Sequence, residues 1–92
     1  IVSNQPVFKV QFYLSERRLN TDAAVFKGLS DVSWYQHQGK YKYTIGNEKT
    51  PEEAVKLIKT AESKGFKGSF VVAFLNGERI TLDEARKLLK TD

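Results

Sequence analysis

Residues 7–14 alternate between apolar and mixed side chains with a period of two, and this pattern predicts a β-strand. Successive side chains of a strand point to opposite faces of its sheet. The face that is predicted to enter the core consists of Phe8, Val10, Phe12 and Leu14. The opposite face, which is predicted to stay open, consists of Lys9, Gln11 and Tyr13.

A second alternating segment, residues 33–46, contains Gln38-Gly39, which predicts a β-hairpin with a two-residue turn. Counting outward from the turn gives the pairs His37 with Lys40, Gln36 with Tyr41, Tyr35 with Lys42, Trp34 with Tyr43, and Ser33 with Thr44. The face predicted to be buried carries Val32, Trp34, Tyr43 and Ile45. The face predicted to be wet carries Ser33, Tyr35, His37, Lys40, Lys42 and Thr44.

Two capping boxes predict the starts of two helices. Thr50-Pro51-Glu52-Glu53 places proline at the first helical position, and Gly65 is expected to end this helix. Thr81-Leu82-Asp83-Glu84 opens a terminal helix in the same way. The residues predicted to face inward are Ala54, Leu57, Ile58 and Ala61 in the first helix and Leu82, Ala85, Leu88 and Leu89 in the second.

The remaining segments complete the predicted order of elements. Residues 69–75 are apolar and rich in β-formers, which predicts a well-buried strand. Asn76-Gly77 is expected to turn the chain into a brief returning strand at residues 78–80. Between the first strand and the hairpin, only residues 21–27 have a helical pattern, with Thr21 as a candidate N-cap and Gly28 as a stop.

This order predicts an α+β domain of the ferredoxin-like or RNP-like class, with the order βαββαβ. We expect a four-stranded antiparallel sheet with both connecting helices on one face, the first and third strands at its centre, and an appended C-terminal helix. A polar lead-in at residues 1–6 is expected to precede a single domain at residues 7–92. Residues 7–75 are predicted to form its core, and residues 76–92 the turn and the terminal helix.

Composition narrows the class of protein. A chain of 92 residues suits one small module, and its formal charge of +4 is compatible with anionic partners. The absence of cysteine excludes disulfides, thiolate metal sites and a cysteine nucleophile. The chain has no methionine and no signal-like apolar start, so we expect it to be part of a longer or processed polypeptide. No segment reaches membrane-spanning length.

The sequence does not favour an enzyme. His37 is the only histidine and lies beside the predicted exposed turn, so three ligands for a catalytic zinc ion are not assembled convincingly. The acidic residues that begin the helices interact favourably with the helix dipole, which accounts for Glu52, Glu53, Asp83 and Glu84. We therefore expect no catalytic residue, metal or cofactor in this segment.

The open face of the predicted sheet is the candidate binding surface. It combines the polar side of the first strand with the wet side of the hairpin, where Gln11 and Lys42 lie on neighbouring central strands and Tyr35 offers a flat ring. Sugars present dense hydroxyls and weakly apolar C–H faces, which suit a shallow surface of amide, hydroxyl, ammonium and aromatic groups. The alternative is that these side chains only solvate one face of an antiparallel sheet.

Three segments resemble SPOR domains. Phe8-Lys9-Val10-Gln11 is similar to the aromatic-x-Val-Gln opening of that family, and Tyr41-Lys42-Tyr43-Thr44-Ile45-Gly46 to its third strand. Thr50-Pro51-Glu52-Glu53-Ala54 with Gly65-Phe66 resembles the start of the family's second helix and the Gly-Phe before its last strand. The similarity covers residues 7–75, and the details look most like the SPOR-like segments at the C-terminus of bacterial N-acetylmuramoyl-L-alanine amidases.

The resemblance implies a peptidoglycan-binding module of the periplasm or cell envelope. Such a domain binds glycan strands stripped of their stem peptides through the open sheet face. It takes an attached enzymatic or membrane-anchored domain to sites of wall remodelling or cell division, so any hydrolase activity would lie outside this chain.

The resemblance also suggests particular contacts. Gln11 matches the family's first-strand glutamine, and Lys42 stands where the family usually has arginine, without that residue's planar fork. Tyr13 and Leu14 replace the usual Gly-Ser, which leaves Ser15 as the nearest serine for that contact. The predicted glycan-binding residues are Gln11, Tyr13, Ser15, Tyr35, Lys40, Lys42 and Thr44.

Two other functions compete with glycan binding. RNA-recognition modules share this order of elements, but their Lys-Gly-Phe-Gly-Phe-Val-x-Phe motif lies on the third strand. The partial match here, Lys64-Gly65-Phe66 followed by residues 70–74, comes after the second helix, which disfavours RNA. A protein-interaction module that uses an edge strand or the terminal helix is the other alternative. A small two-layer domain, however, needs the apolar face of that helix to cover its own sheet.

Overall fold

The computed structural model describes residues 5–20, 24–29 and 31–90, in which five antiparallel strands form one sheet and two α-helices pack on it. The strands are β1 (Val7–Ser15), β2 (Ser33–His37), β3 (Lys40–Glu48), β4 (Phe70–Leu75) and β5 (Glu78–Ile80). The helices are α1 (Pro51–Ser63) and α2 (Leu82–Lys90), and a 3₁₀ turn covers Ala24–Phe26.

The sheet has the strand order β2-β3-β1-β4-β5. The predicted α+β class and the internal positions of the first and third strands are confirmed. The predicted four-stranded βαββαβ arrangement is not found in that form. Residues 78–80 pair with β4 and add a fifth strand, and the described part of the first connection contains only the 3₁₀ turn. The candidate N-cap Thr21 lies outside the described residues.

The hairpin has the register that its turn predicts. All five pairs, from His37 with Lys40 to Ser33 with Thr44, are present. Gln38 and Gly39 have φ values of 54° and 75°, the two positive angles that a type I′ turn requires. Local turn chemistry therefore sets which residues of β2 and β3 share a face.

Strand β1 does not keep one alternation along its length, because a β-bulge interrupts its pairing with β3. Gln11 pairs with Thr44 and Tyr13 pairs with the next residue of β3, Tyr43, so Phe12 is an extra residue. Beyond the bulge, the residues of β1 that were predicted to face the core lie on the open side, and the others face the helices. Tyr13 turns to the side of the sheet that the helices cover, and Leu14, which was predicted to be buried, is 51% exposed.

A second irregularity lies on β3. Between the pairs Phe8 with Glu48 and Val10 with Ile45, β3 has one residue more than β1. Gly46 in this segment has a φ of +91°, and a Cβ atom there would collide with the Leu57 side chain of α1. Glycine at this position therefore allows both the bulge and the close approach of the helix.

Both predicted helix starts are confirmed, and the second forms both bonds of a capping box. The Thr50 hydroxyl accepts a hydrogen bond from the Glu53 backbone N–H at 3.2 Å. The Thr81 hydroxyl accepts one from the Glu84 N–H at 3.1 Å, and the Glu84 carboxylate in turn accepts from the Thr81 N–H at 3.2 Å. The two helices start where the sequence predicts because their first N–H groups are satisfied locally.

The core lies between the sheet and the two helices. Its buried side chains include Phe8, Val10, Phe12, Phe26, Tyr43, Ile45, Ala54, Ala61, Ala73 and Ala85. Phe26 comes from the 3₁₀ turn and packs on the rings of Phe12, Tyr13 and Tyr43. One short turn thus supplies apolar cover next to the edge hairpin, where the sequence predicted a helix.

Trp34, which was predicted to be a core residue, is 40% exposed. Its ring packs edge-on against Tyr41 at 5.4 Å and lies 5.7 Å from the Arg18 guanidinium. The predicted alternation of β2 is confirmed, but β2 is an edge strand, and α1 contacts β1, β3 and β4 instead. The indole therefore remains half open to solvent.

Candidate functional site

The candidate site is the side of the sheet that faces away from the helices, which we call the concave face. Strand register places these side chains on it: Val7, Lys9, Gln11 and Leu14 from β1, Ser33, Tyr35 and His37 from β2, Lys40, Lys42 and Thr44 from β3, Phe70, Val72 and Phe74 from β4, and Arg79 from β5. The concave face combines the predicted polar residues with three apolar residues of β4.

The sheet curls so strongly that its outer strands meet across this face. Strands β2 and β4 are separated by two others, which in a flat sheet would place them roughly 14 Å apart. The rings of Tyr35 and Phe74 nevertheless lie 5.0 Å apart in an edge-to-face contact. Thr44 and Val72 also lie on this face and are fully buried, with side chains instead of a helix as their cover.

A set of hydrogen bonds runs beside the ring contact. The Tyr35 hydroxyl donates to Gln11 Oε1 at 2.6 Å, and the hydroxyls of Ser33 and Thr44 are 2.9 Å apart. Lys9 Nζ donates to Ser33 Oγ at 3.2 Å. These bonds join three strands and hold the polar groups in fixed positions, which reduces the ordering that a ligand would require.

Lys9 is held more firmly than a surface lysine. Its Nζ lies 5.4 Å from the centre of the Phe74 ring and contacts the Ser33 hydroxyl. Burial lowers the pKa of the Lys9 ammonium below its usual value. The one ion pair among the described residues joins Lys40 to Glu16 at 3.3 Å, so no described carboxylate neutralises Lys9.

Five of the seven predicted site residues have the register of the concave face, and four of them lie near its centre. Gln11 and Tyr35 are joined by a hydrogen bond, Thr44 is buried behind Ser33, and Lys42 stands between Tyr35 and Leu14 in the register. Lys40 shares their alternation, but it lies at the hairpin end and pairs with Glu16.

Tyr13 and Ser15 do not lie where the sequence predicted. The β1 bulge turns Tyr13 toward the helices, where its ring contacts the rings of Phe26, Tyr43 and Phe66. Ser15 pairs with Tyr41 on the same side, and its hydroxyl accepts a hydrogen bond from the Arg17 N–H at 3.1 Å. The placement of both residues on the open face was therefore wrong.

Two cavities lie along the concave face. The first, of about 240 Å³, is lined by Val7, Lys9, Ser33, Trp34, Tyr35, Asn47, Phe74, Asn76 and Gly77. The second, of about 230 Å³, is lined by Gln11, Phe12, Tyr13, Leu14, Gly68 and Phe70. Tyr35 lines the first cavity and its hydrogen-bond partner Gln11 lines the second. The bridge between them thus joins two recesses on the same surface.

Sequence reasoning missed the contribution of β4 to this surface. Residues 70–75 are apolar on both faces, which predicts a well-buried strand but does not indicate what covers its open side. The concave side of β4 is covered by Tyr35 and Lys9, which both contact Phe74. An apolar strand beside a polar open face was the available signal that the face closes on itself.

Other kinds of site find no support in the described ranges. No group of three or more His, Cys, Asp or Glu side chains within residues 5–20, 24–29 and 31–90 is placed to hold a metal ion. In the same part of the chain, neither helix is long and apolar enough to cross a membrane.

Comparison of the chain with models of known protein families, with curated proteins and with solved structures found no match. The chemistry of the concave face is therefore the guide to its function.

Proposed function

We propose that this chain is a non-catalytic glycan-binding module that recognises peptidoglycan strands stripped of their stem peptides through the concave face. It brings a larger protein of the periplasm or cell envelope to its site of action on the wall. The observation that supports this proposal best is the Tyr35–Gln11 hydrogen bond. It crosses a curved face that also presents the half-buried lysines Lys9 and Lys42. The resemblance to SPOR domains supports the same function.

The chemistry of the concave face suits a sugar chain. The ring of Tyr35, already fixed by Phe74, offers a flat apolar surface to the C–H face of a sugar. The Gln11 amide and the Lys42 ammonium supply hydrogen-bond donors for hydroxyl and N-acetyl groups. A recess at each end of the Tyr35–Gln11 bridge suits a ligand that extends over several sugar units.

The fold supports a related proposal. The order β2-β3-β1-β4 is that of a split βαβ sheet, and α1 provides the second crossover. We regard the domain as a modified ferredoxin-like fold in which a 3₁₀ turn stands in the first connection and β5 and α2 extend the far edge. This arrangement leaves the concave face without a covering helix.

A co-sedimentation experiment tests the function. Purified peptidoglycan is used intact and after digestion with an amidase, and labelled single-stranded RNA is titrated separately. We expect the wild-type chain to sediment with the digested material more than with the intact material. The Gln11→Ala/Lys42→Ala double variant should lose most of this binding and remain folded, because both side chains are only half-buried and its core is unchanged, although loss of the Tyr35–Gln11 bond should lower its melting temperature slightly.

Lys56→Ala is the matched control, because Lys56 is an exposed lysine of α1, away from the concave face. This variant should bind like the wild type. Equal binding by the double variant and the wild type would refute the assignment of the site to the concave face. Binding to RNA with none to digested peptidoglycan would replace the proposed function with RNA recognition.

A further inference from the structure

The first cavity of the concave face has a lysine ammonium in its wall, and no aspartate or glutamate is among its lining residues. Lys9 is the only charged residue among the nine that line it. Its ammonium is oriented by the Ser33 hydroxyl at 3.2 Å and by the Phe74 ring, whose centre is 5.4 Å away. A lysine ammonium has three N–H donors, and Ser33 accepts from one of them. The other two donors can serve a ligand.

The described surroundings of the Lys9 ammonium contain no negative charge to pair with it. Burial of the ammonium disfavours its charged form, and nothing described around Lys9 compensates with a carboxylate. A ligand carboxylate within hydrogen-bond distance would supply that charge. Charge-assisted hydrogen bonds are stronger than neutral ones, and partial burial reduces their screening by salt.

The rest of the cavity suits a sugar that bears such a group. The ring of Phe74 and the side chain of Val7 form an apolar side, and Asn47 and Ser33 offer polar atoms. Tyr35 connects this cavity to the remainder of the concave face through its bond to Gln11. A sugar chain lying on Tyr35 would therefore bring one of its units to Lys9.

We propose that the Lys9 cavity binds the carboxylate of an acidic sugar. If the chain binds stripped peptidoglycan, on which this identification rests, the group is the free lactyl carboxylate of a muramic acid unit. In an intact strand the stem peptide holds that carbonyl as an uncharged amide, and removal of the peptide leaves a carboxylate. Lys9 then gives a chemical reason for preferring stripped strands, since it distinguishes a charged group from a neutral one.

Defined oligosaccharides test this proposal by calorimetric titration. The first ligand is a stripped tetrasaccharide of alternating N-acetylglucosamine and N-acetylmuramic acid with free carboxylates, and the second is the same compound with its carboxylates converted to methylamides. Tetra-N-acetylchitotetraose supplies a similar backbone without the lactyl group, and tetragalacturonate supplies carboxylates on an unrelated sugar. We expect the wild type to prefer the free acid over the methylamide by about tenfold, the effect of one charge-assisted hydrogen bond.

Substitutions separate charge from packing. Lys9→Met keeps most of the apolar stem and removes the charge, so the affinities for the free acid and the methylamide should become equal. Lys9→Arg should restore much of the preference. Lys56→Met on α1 is the control for loss of a lysine elsewhere, and it should behave as the wild type. Thermal denaturation of each variant checks that the fold is intact.

The outcomes distinguish the subsite from the function on which it rests. Equal wild-type affinity for the free acid and the methylamide would overturn the carboxylate subsite and leave glycan binding standing. Binding of tetragalacturonate that depends on Lys9, without binding of either muramic acid compound, would support a carboxylate subsite and reject peptidoglycan as its source. No binding of any of the four sugars would overturn both proposals.

Discussion

Single side chains decide which groups the concave face presents. Phe12 is an extra residue in β1 that has no partner on β3. Its insertion places Leu14 on this surface and turns Tyr13 away from it. Tyr35 bends across to Phe74 and makes one closed surface from strands that are not neighbours. Both effects depend on contacts between residues distant in sequence, so neither follows from the alternation of a single segment.

Gly46 allows a test of packing at the scale of one residue. Gly46→Ala adds a methyl group against Leu57 and forces alanine to a φ of +91°, so we expect a loss of about 2–4 kcal/mol in the free energy of unfolding. Urea denaturation followed by circular dichroism measures this loss. Gly39→Ala is the matched control, because Gly39 also has a positive φ but nothing lies within 4 Å of its added Cβ.

The control separates backbone strain from collision with the helix. Gly39→Ala should lose only the strain, about 1–2 kcal/mol. Truncation of the helix residue in a Gly46→Ala/Leu57→Ala variant should remove the collision, so the two substitutions should cost less together than the sum of their separate effects. Equal losses for the two glycine variants would contradict the close approach of α1 to β3.

Whole elements were the most accessible to sequence reasoning. Both capping boxes and the type I′ turn are satisfied by residues within four positions of one another, so their sequence signals carry nearly all the required information. The helix predicted in the first connection had a candidate N-cap and a glycine stop, but no capping box. Its described part is a 3₁₀ turn, fixed by the packing of Phe26 on the rings of β1 and β3.

The N-terminal cap of α2 predicts a dependence of stability on pH. A hydrogen bond from the Thr81 backbone, followed by one from its hydroxyl, lowers the pKa of the Glu84 carboxyl. Since the folded pKa is the lower one, this stabilisation is present above the unfolded glutamate pKa of about 4.3 and is lost as the pH falls through the folded pKa. Glu84→Gln should therefore lower the melting temperature at pH 7 more than at pH 3.

Melting curves of the wild type and Glu84→Gln between pH 7 and pH 3 measure this effect. The two melting temperatures should converge at the acidic end, because protonation removes the carboxylate from the wild type as well. A constant difference across the range would show that the carboxylate charge does not contribute through this cap.

At the scale of the whole molecule, the sequence predicted the layers but not the curvature. The amphipathic patterns of α1 and α2 and the alternation of β1 up to Gln11 place the core correctly. The curl of the sheet, the exposure of Trp34 and the closure of Tyr35 on Phe74 depend on bulges and on the position of each strand in the sheet. These features arise only when all five strands are assembled.

Removal of α2 tests whether the domain is a single cooperative unit. Ala85 is fully buried, and Leu82 and Leu89 pack against the same core as Phe8 and Ala73. A chain ending at Thr81 would expose the helix-facing side of β4 and β5, so we expect a clearly lower melting temperature and a broader transition by calorimetry. A chain that melts as the full-length protein does would show that α2 is dispensable to the core and available for a partner.

The Tyr43 hydroxyl ties the first connection to the sheet and should slow its local opening. This buried group accepts a hydrogen bond from the Leu19 N–H and donates one to the Leu19 carbonyl oxygen at 3.1 Å. Isotope exchange at the Leu19 amide requires the bond from its N–H to the Tyr43 hydroxyl to open, and the ring that carries this hydroxyl is packed within the sheet. An amide in an irregular segment should thus exchange with deuterium as slowly as the strands do, and it would report on the opening of the whole sheet.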